Sequence, residues 1–155
     1  MKARTTLLTL ALCVIAGAVS FAADNPHIGT WKLNEAKSKF PPGAAKNNTV
    51  VYEVVGDQIK VTVDGVNANG KPTHSEWTGK FDGKDYPLTG DSDSDTRSYR
   101  KIDARTIELI NKKDGKVVIS GKVAVSADGK TRTVTLTSTD AAGKKTHSTA
   151  VYDKA

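Results

Sequence analysis

The chain has 155 residues, of which 37% are hydrophobic, 26% charged and 6% aromatic, with a formal net charge of +6. That length describes one domain, and the basic charge is scattered in short pairs such as Lys112-Lys113 and Lys144-Lys145. No basic arm or stripe is present to hold a phosphate backbone, so no nucleic-acid partner is expected.

Residues 1–22 read as a secretory signal. Lys2 and Arg4 form the basic start, Leu7 to Val19 an apolar core, and Ser20-Phe21-Ala22 a small-x-small site with cleavage expected after Ala22. The apolar core is too short to anchor the chain, because a span needs about 20 apolar residues. The expected destination is secreted or periplasmic, with a single domain over residues 23–155, no stable membrane insertion and a monomeric state. Cys13 is the only cysteine and lies within this signal, with Leu12 rather than a small residue before it, so neither lipid attachment nor a disulfide is expected. Removing Lys2 and Arg4 leaves a formal charge of +4.

Beyond the signal, no stretch keeps apolar residues at helical spacing over an ordinary helix length. Asn34 to Phe40 can form at most a turn or two, capped by Asn34 and stopped by Pro41-Pro42. Everything else alternates with period two. Gly29 to Leu33 opens the series, followed by Thr49 to Val55 and then Gln58 to Asp64, where Ile59, Val61 and Val63 share one face. Thr73 to Phe81, Asp85 to Leu88, Arg97 to Ile102 and Thr106 to Asn111 continue it. Lys116 to Val125, Thr131 to Thr139 and Lys145 to Tyr152 complete about ten runs, of which eight are expected to be strands.

Asp64-Gly65, Asn69-Gly70, Asp82-Gly83, Asp114-Gly115 and Asp128-Gly129 supply the positive-φ residues of tight hairpins, so consecutive strands are expected to be antiparallel neighbours. Thr89 to Thr96, TGDSDSDT, is the most polar stretch and reads as a loop. A meander this long leaves two exposed edges unless its first and last strands meet. The expected fold is therefore all-β, an antiparallel up-and-down barrel of about eight to ten strands.

Gly29-Thr30-Trp31-Lys32-Leu33 resembles the opening G-x-W of the calycin group of ligand-holding barrels, the lipocalins and the intracellular fatty-acid-binding proteins. In the latter branch the words GTWKL start the first strand. Val151-Tyr152-Asp153-Lys154 resembles the closing strand of that branch, which typically ends on Arg-x-Tyr. The resemblance implies a lipocalin-like barrel that binds a lipid or fatty-acid-like molecule inside. Independently of it, a Trp31 that points inward from the first strand can plug the floor of a small barrel, against the alternative of an ordinary core aromatic. The resemblance does not imply the branch's carboxylate clamp, because Ala150 stands where the arginine would be and only Tyr152 carries over. Asn34 to Lys46 is also too short for that branch's two lid helices, and the chain stops directly after its last strand, without the helix typical of lipocalins.

Parity read outward from Trp31 turns Tyr52, Val54, Trp77, Tyr86, Tyr99 and Val117 inward, among other apolar residues. This composition suits a ligand pocket and a filled core equally. The candidate ligand-contacting residues are Trp31, Tyr52, Trp77, Tyr86, Arg97, Tyr99 and Tyr152. Arg97, Arg100 and Arg132 all lie on strands. Arg97 shares the parity of Tyr99 and is the first candidate for an inward cation, against the ordinary alternative of a solvated arginine.

Gly65 to Lys71 matches a phosphate loop until Pro72 takes the place of the metal-binding hydroxyl, and it joins two strands instead of opening a helix. Asp91, Asp93 and Asp95 alternate like a calcium loop but lack its glycine and bidentate glutamate. His27, His74 and His147 have no metal-ligand spacing and read as polar strand or terminal residues. No nucleophile or metalloprotease motif appears, so no enzyme, metal or cofactor is expected. The function expected is an exported carrier of a hydrophobic or amphipathic small molecule. The competing expectation is an inhibitor or protein-binding module with a filled core, acting through exposed loops such as TGDSDSDT and PPGAAKNN.

Overall fold

The computed structural model describes residues 25–155. The expected signal segment, with Cys13, lies outside the described residues. Ten strands follow in order: β1 (Gly29–Leu33), β2 (Lys46–Val55), β3 (Gln58–Val66), β4 (Pro72–Gly79), β5 (Tyr86–Thr89), β6 (Thr96–Lys101), β7 (Thr106–Lys113), β8 (Lys116–Val125), β9 (Thr131–Thr139) and β10 (Lys145–Lys154). Each pairs antiparallel with the next, and β1 pairs with both β2 and β10, so the sheet is an up-and-down barrel with no free edge. The expectation that two of the runs would fail is corrected, since all ten form strands. The helical element shrinks to a 3-10 turn, Glu35–Lys37, whose first residue follows the capping Asn34.

Closure runs through Trp31. Its register partners are Val50 on β2 and Lys154 on β10, and the amide of Ala155 donates to Thr30 O at 2.9 Å. Gly29 has φ +124°, and a Cβ there would lie 2.8 Å from Lys154 Cε, so a side chain would displace the lysine whose Nζ sits 5.2 Å above the Trp31 ring. This is why a glycine stands two residues before the tryptophan.

The Asp64-Gly65 pair is not a turn. Gly65 continues β3 and pairs with Asn47 and Thr73, beside a bulge where β2 slips register between Asn47 and Thr49. A Cβ on Gly65 would collide with the carbonyl oxygen of Lys46, so the glycine serves strand approach. The turn comes later, at Asn67 to Lys71. Parity also fails at two positions expected to face inward: Val54 is 38% exposed and Val117 49% exposed. Val54 lies one residue from the end of β2, beside the β2–β3 turn. Val117 is turned outward by a bulge: β7 and β8 slip register between Asn111 and Lys112, so Ile119 pairs with the buried Asn111 but Val117 pairs with Lys112, whose side chain reaches Asp85 on the surface.

Along the barrel axis the two halves differ. The β1–β2, β3–β4, β5–β6, β7–β8 and β9–β10 connections lie at one end, the mouth, and the remaining turns at the other. The closed half is solid, with Trp31, Val61, Trp77, Ile107 and Val123 all buried. There Trp77 meets Tyr99 edge-on at 4.8 Å and Tyr86 at 5.7 Å between ring centres, and Phe81 joins them 5.3 Å from Tyr99. Among the described residues, no helix is long and apolar enough to cross a membrane.

Candidate functional site

The mouth half of the barrel encloses a cavity of about 460 Å³. Its middle is walled by Val50, Val63, Leu109, Ile119, Val134, Leu136 and Ala150. Phe40, Pro41, Ala44 and Ala45 of the β1–β2 connection, and Asp91 to Asp93 of the β5–β6 loop, border its opening. The β1–β2 connection is tied down first at Lys39, which exchanges backbone hydrogen bonds of 2.7 and 2.9 Å with Thr149, before Pro41 and Pro42 carry it over the mouth. A filled interior, which the loop-binding alternative requires, is not what the barrel holds.

Arg97, Tyr99 and Tyr152, three of the candidate contacts, line this cavity, whereas Trp31, Tyr52, Trp77 and Tyr86 do not. The reason is axial position. Trp31 packs in the closed half, its indole Nε1 donating to His27 O at 2.9 Å, and Trp77 Nε1 donates to Arg97 O at 2.8 Å from beside the aromatic cluster. Tyr86 turns its hydroxyl out to Asp82 at 2.8 Å. Tyr52 is buried outside the lining, and its hydroxyl helps to link the two residues that matter most.

Those residues are two arginines. Arg97 is 8% exposed, so it points inward and is not a solvated surface group; its Nε donates to Asn111 Oδ1 at 2.8 Å and its Nη1 to Tyr99 OH at 3.4 Å. Arg132, 3% exposed, enters from β9 directly opposite Tyr152 on β10. Its guanidinium lies between two rings, 4.7 Å from the centre of Tyr52 and 5.3 Å from that of Tyr152. Arg132 Nη2 donates to Tyr52 OH at 2.8 Å, and Tyr52 donates onward to Tyr99 OH at 3.2 Å. Three hydrogen bonds thus join the two guanidiniums through two phenols.

Arg132 Nε and Nη1 are buried without a hydrogen-bond partner among the described residues. Among the described residues, neither arginine is in an ion pair and no carboxylate is buried in the core. Tyr152 OH makes no hydrogen bond there, and Tyr99 OH only accepts. Burial pushes the Tyr52 and Tyr152 phenols above their ordinary value, partly opposed by Arg132, so both stay neutral. The deep polar part of the lining therefore offers cations and O–H donors that are in no ion pair among the described residues, with Asp91 and Asp93 at the opening.

Arg132 was legible by parity, two residues from Val134 and four from Leu136, but a charge on an apolar face reads as an irregularity rather than as a site. Asn111, fully buried and donating to Ser94 Oγ at 3.3 Å, shares parity with Leu109 in the same way. His27 corrects the reading of a polar terminal residue. It is 2% exposed, packs against Tyr52 and Phe81, and has no hydrogen-bond partner for either ring nitrogen among the described residues. His74 and His147 are exposed on strands. Among the described residues, no group of three or more His, Cys, Asp or Glu side chains could hold a metal ion.

No protein-family model matches the sequence, and no curated protein matches it. Among solved structures, the chain is similar to a redesigned β-barrel, mFAP1, bound to DFHBI, at 14% identity over 86% of this chain and 99% of that one, with TM-score 0.46. It is also similar to EF1p2_mFAP2b bound to DFHBI, at 12% identity over 89% of this chain and 100% of that one, with TM-score 0.48.

Proposed function

We propose that this barrel is an exported, calycin-type carrier that takes up a small amphipathic molecule through its mouth and acts by burial, without catalysis. The acidic end of the ligand goes down to Arg132 and its apolar body fills the space between Val50, Val63, Leu109 and Leu136. The observation that carries this reading is the unpaired Arg132 guanidinium at the foot of a half-empty barrel. A buried ion without a counter-charge costs several kcal/mol, and a ligand anion offsets that cost.

The cavity volume lies within the range of sites that enclose small ligands. An alkyl chain of about ten carbons gains roughly 8 kcal/mol from burial, and after association costs a micromolar affinity is the scale expected. Neither tryptophan lines the cavity, so their emission is a poor reporter of binding. The test is isothermal titration with dodecanoate, dodecanol and dodecyltrimethylammonium, together with native mass spectrometry of protein from its own host. Saturable binding ordered acid, then alcohol, then ammonium supports the carrier. No binding to any of the three, with no co-purified small molecule, ends it. Export is tested separately by N-terminal sequencing of the mature protein, with Ala23 the expected first residue.

A further inference from the structure

We infer that the ligand of this cavity is a dianion, carrying two negative charges at its buried end, and that Arg97 reads the second. The inference rests on the carrier reading and adds to it a count of charge. Arginine remains protonated in proteins, so two full positive charges lie inside the barrel wall. Both arginines are more than nine-tenths buried, both line the same cavity, and neither is in an ion pair among the described residues. A monoanion seated on Arg132 would leave Arg97 with only neutral partners, Asn111 Oδ1 and Tyr99 OH.

The carboxylates that line the same cavity, Asp91 and Asp93, lie at its opening and not in ion-pair contact with either arginine. Asp91 Oδ1 already accepts from the amide of Asp93 at 2.8 Å, and Asp93 Oδ1 from Ser92 Oγ at 3.3 Å. The phenols between the arginines mark where the head group sits. Tyr99 OH accepts from Arg97 and Tyr52, which leaves its own proton to donate, and the Tyr152 hydroxyl has no partner among the described residues. Two guanidiniums and two phenolic donors around one cavity match either a phosphate monoester or a pair of carboxylates on one carbon framework, and their shared chemistry is a double negative charge. Arg97 is then the specificity-determining residue, and Arg132 the anchor common to all acidic ligands.

The test compares ligands that differ only in charge. At about pH 8, above the second phosphate ionisation near 6, dodecyl phosphate is a dianion and dodecyl methyl phosphate a monoanion. A dodecyl-substituted malonate against tetradecanoate, the same skeleton without the second carboxylate, gives the same comparison for carboxylates. Titration of the full-length mature protein is expected to show the dianion of at least one pair bound about tenfold or more tighter than its monoanion. The advantage of dodecyl phosphate should shrink as the pH falls through its second ionisation. Arg97→Met should bring the ratio to about one while monoanion binding persists, and Arg97→Lys, which keeps the charge, should retain part of the preference. Which pair shows the effect tells phosphate from dicarboxylate. Equal binding of both members of both pairs, or a ratio unchanged in Arg97→Met, overturns the inference and leaves the carrier intact. Absence of binding by every amphiphile overturns both.

Discussion

Trp31 holds the start of the described chain to the barrel floor: its indole Nε1 donates to the carbonyl of His27 at 2.9 Å, four residues back along the chain. The same ring lies fully buried, with Lys154 above it and Val50 opposite it in register, so one side chain joins the strap before β1, β1 itself and both of its neighbours. Trp31→Ala should therefore destabilise the protein by about 3–5 kcal/mol, the range for emptying a large aromatic site. Trp31→Phe keeps much of the packing but strands a buried carbonyl, at a cost of about 1–3 kcal/mol. Urea unfolding followed by far-ultraviolet circular dichroism separates the two, and equal midpoints for Trp31→Phe and the parent protein would show that the indole hydrogen bond does no work.

The strap also makes stability depend on pH. Burial first, and the Arg132 guanidinium second, lower the His27 pKa from 6.5 to about 4. In that interval the unfolded chain takes up a proton that the folded chain refuses. The stability due to a neutral His27 is complete above about pH 6.5, declines as the pH falls, and is gone below about 4, a total on the order of 3 kcal/mol. The groups around the ring are Arg132 and Lys101, which oppose protonation, and Asp103, which favours it; Tyr52 and Phe81 pack against it. His74 works in the opposite sense, since its hydrogen bond to Asp64 raises its pKa and its contribution is lost as the pH rises. In His27→Phe, unfolding midpoints at pH 7 and pH 4 should differ less than in the parent. An unaltered difference would remove His27 as the cause.

The barrel was legible because each level of the sequence agrees with it. Period-two alternation, hairpin residues between runs and the Gly29-x-Trp31 opening all point to a closed meander, and the lone short strand at Tyr86–Thr89 was visible despite pairing over only two residues on each side. Asp64-Gly65 misled because a glycine demanded by close strand approach looks the same in sequence as one demanded by a turn. Val54 misled because parity does not say how close a residue lies to the end of the barrel, and Val117 because a bulge in the β7–β8 pair inverts parity beyond Ile119 without any mark in the sequence. The site was half visible for a related reason. Aromatics of one parity read alike as ligand contacts, yet parity carries no axial coordinate, so it does not separate Trp31 and Trp77 of the solid half from Tyr99 and Tyr152, which reach the hollow one. Arg132 lies opposite Tyr152 across the β9–β10 pair, which no reading of the terminal V-Y-D-K words could reveal.

A buried arginine kept for a ligand should be a burden on the empty protein. Replacing it with an apolar residue of similar length removes a buried charge that has no counter-ion, whose desolvation costs several kcal/mol. Arg132→Met is therefore expected to raise the unliganded unfolding midpoint, or leave it unchanged, despite losing the 2.8 Å bond to Tyr52. Binding of dodecanoate should fall below detection in the same variant. A protein that loses several kcal/mol of stability on Arg132→Met would show the arginine to be structural.

The cavity itself can be tested by filling it. Ala150 is the register partner of Val134, lies on the wall of the hollow half, and stands two residues before Tyr152 on the same face of β10. Leucine there extends into existing space rather than into a packed neighbour, so Ala150→Leu should add burial worth on the order of 1–2 kcal/mol to the empty protein. The same atoms take room from the ligand body, so affinity should fall, and more steeply for a dodecyl chain than for an octyl chain. Titration of both chain lengths against parent and variant reads this directly. If Ala150→Leu weakens the two equally, the alkyl body does not pass this wall, and the ligand lies elsewhere in the barrel.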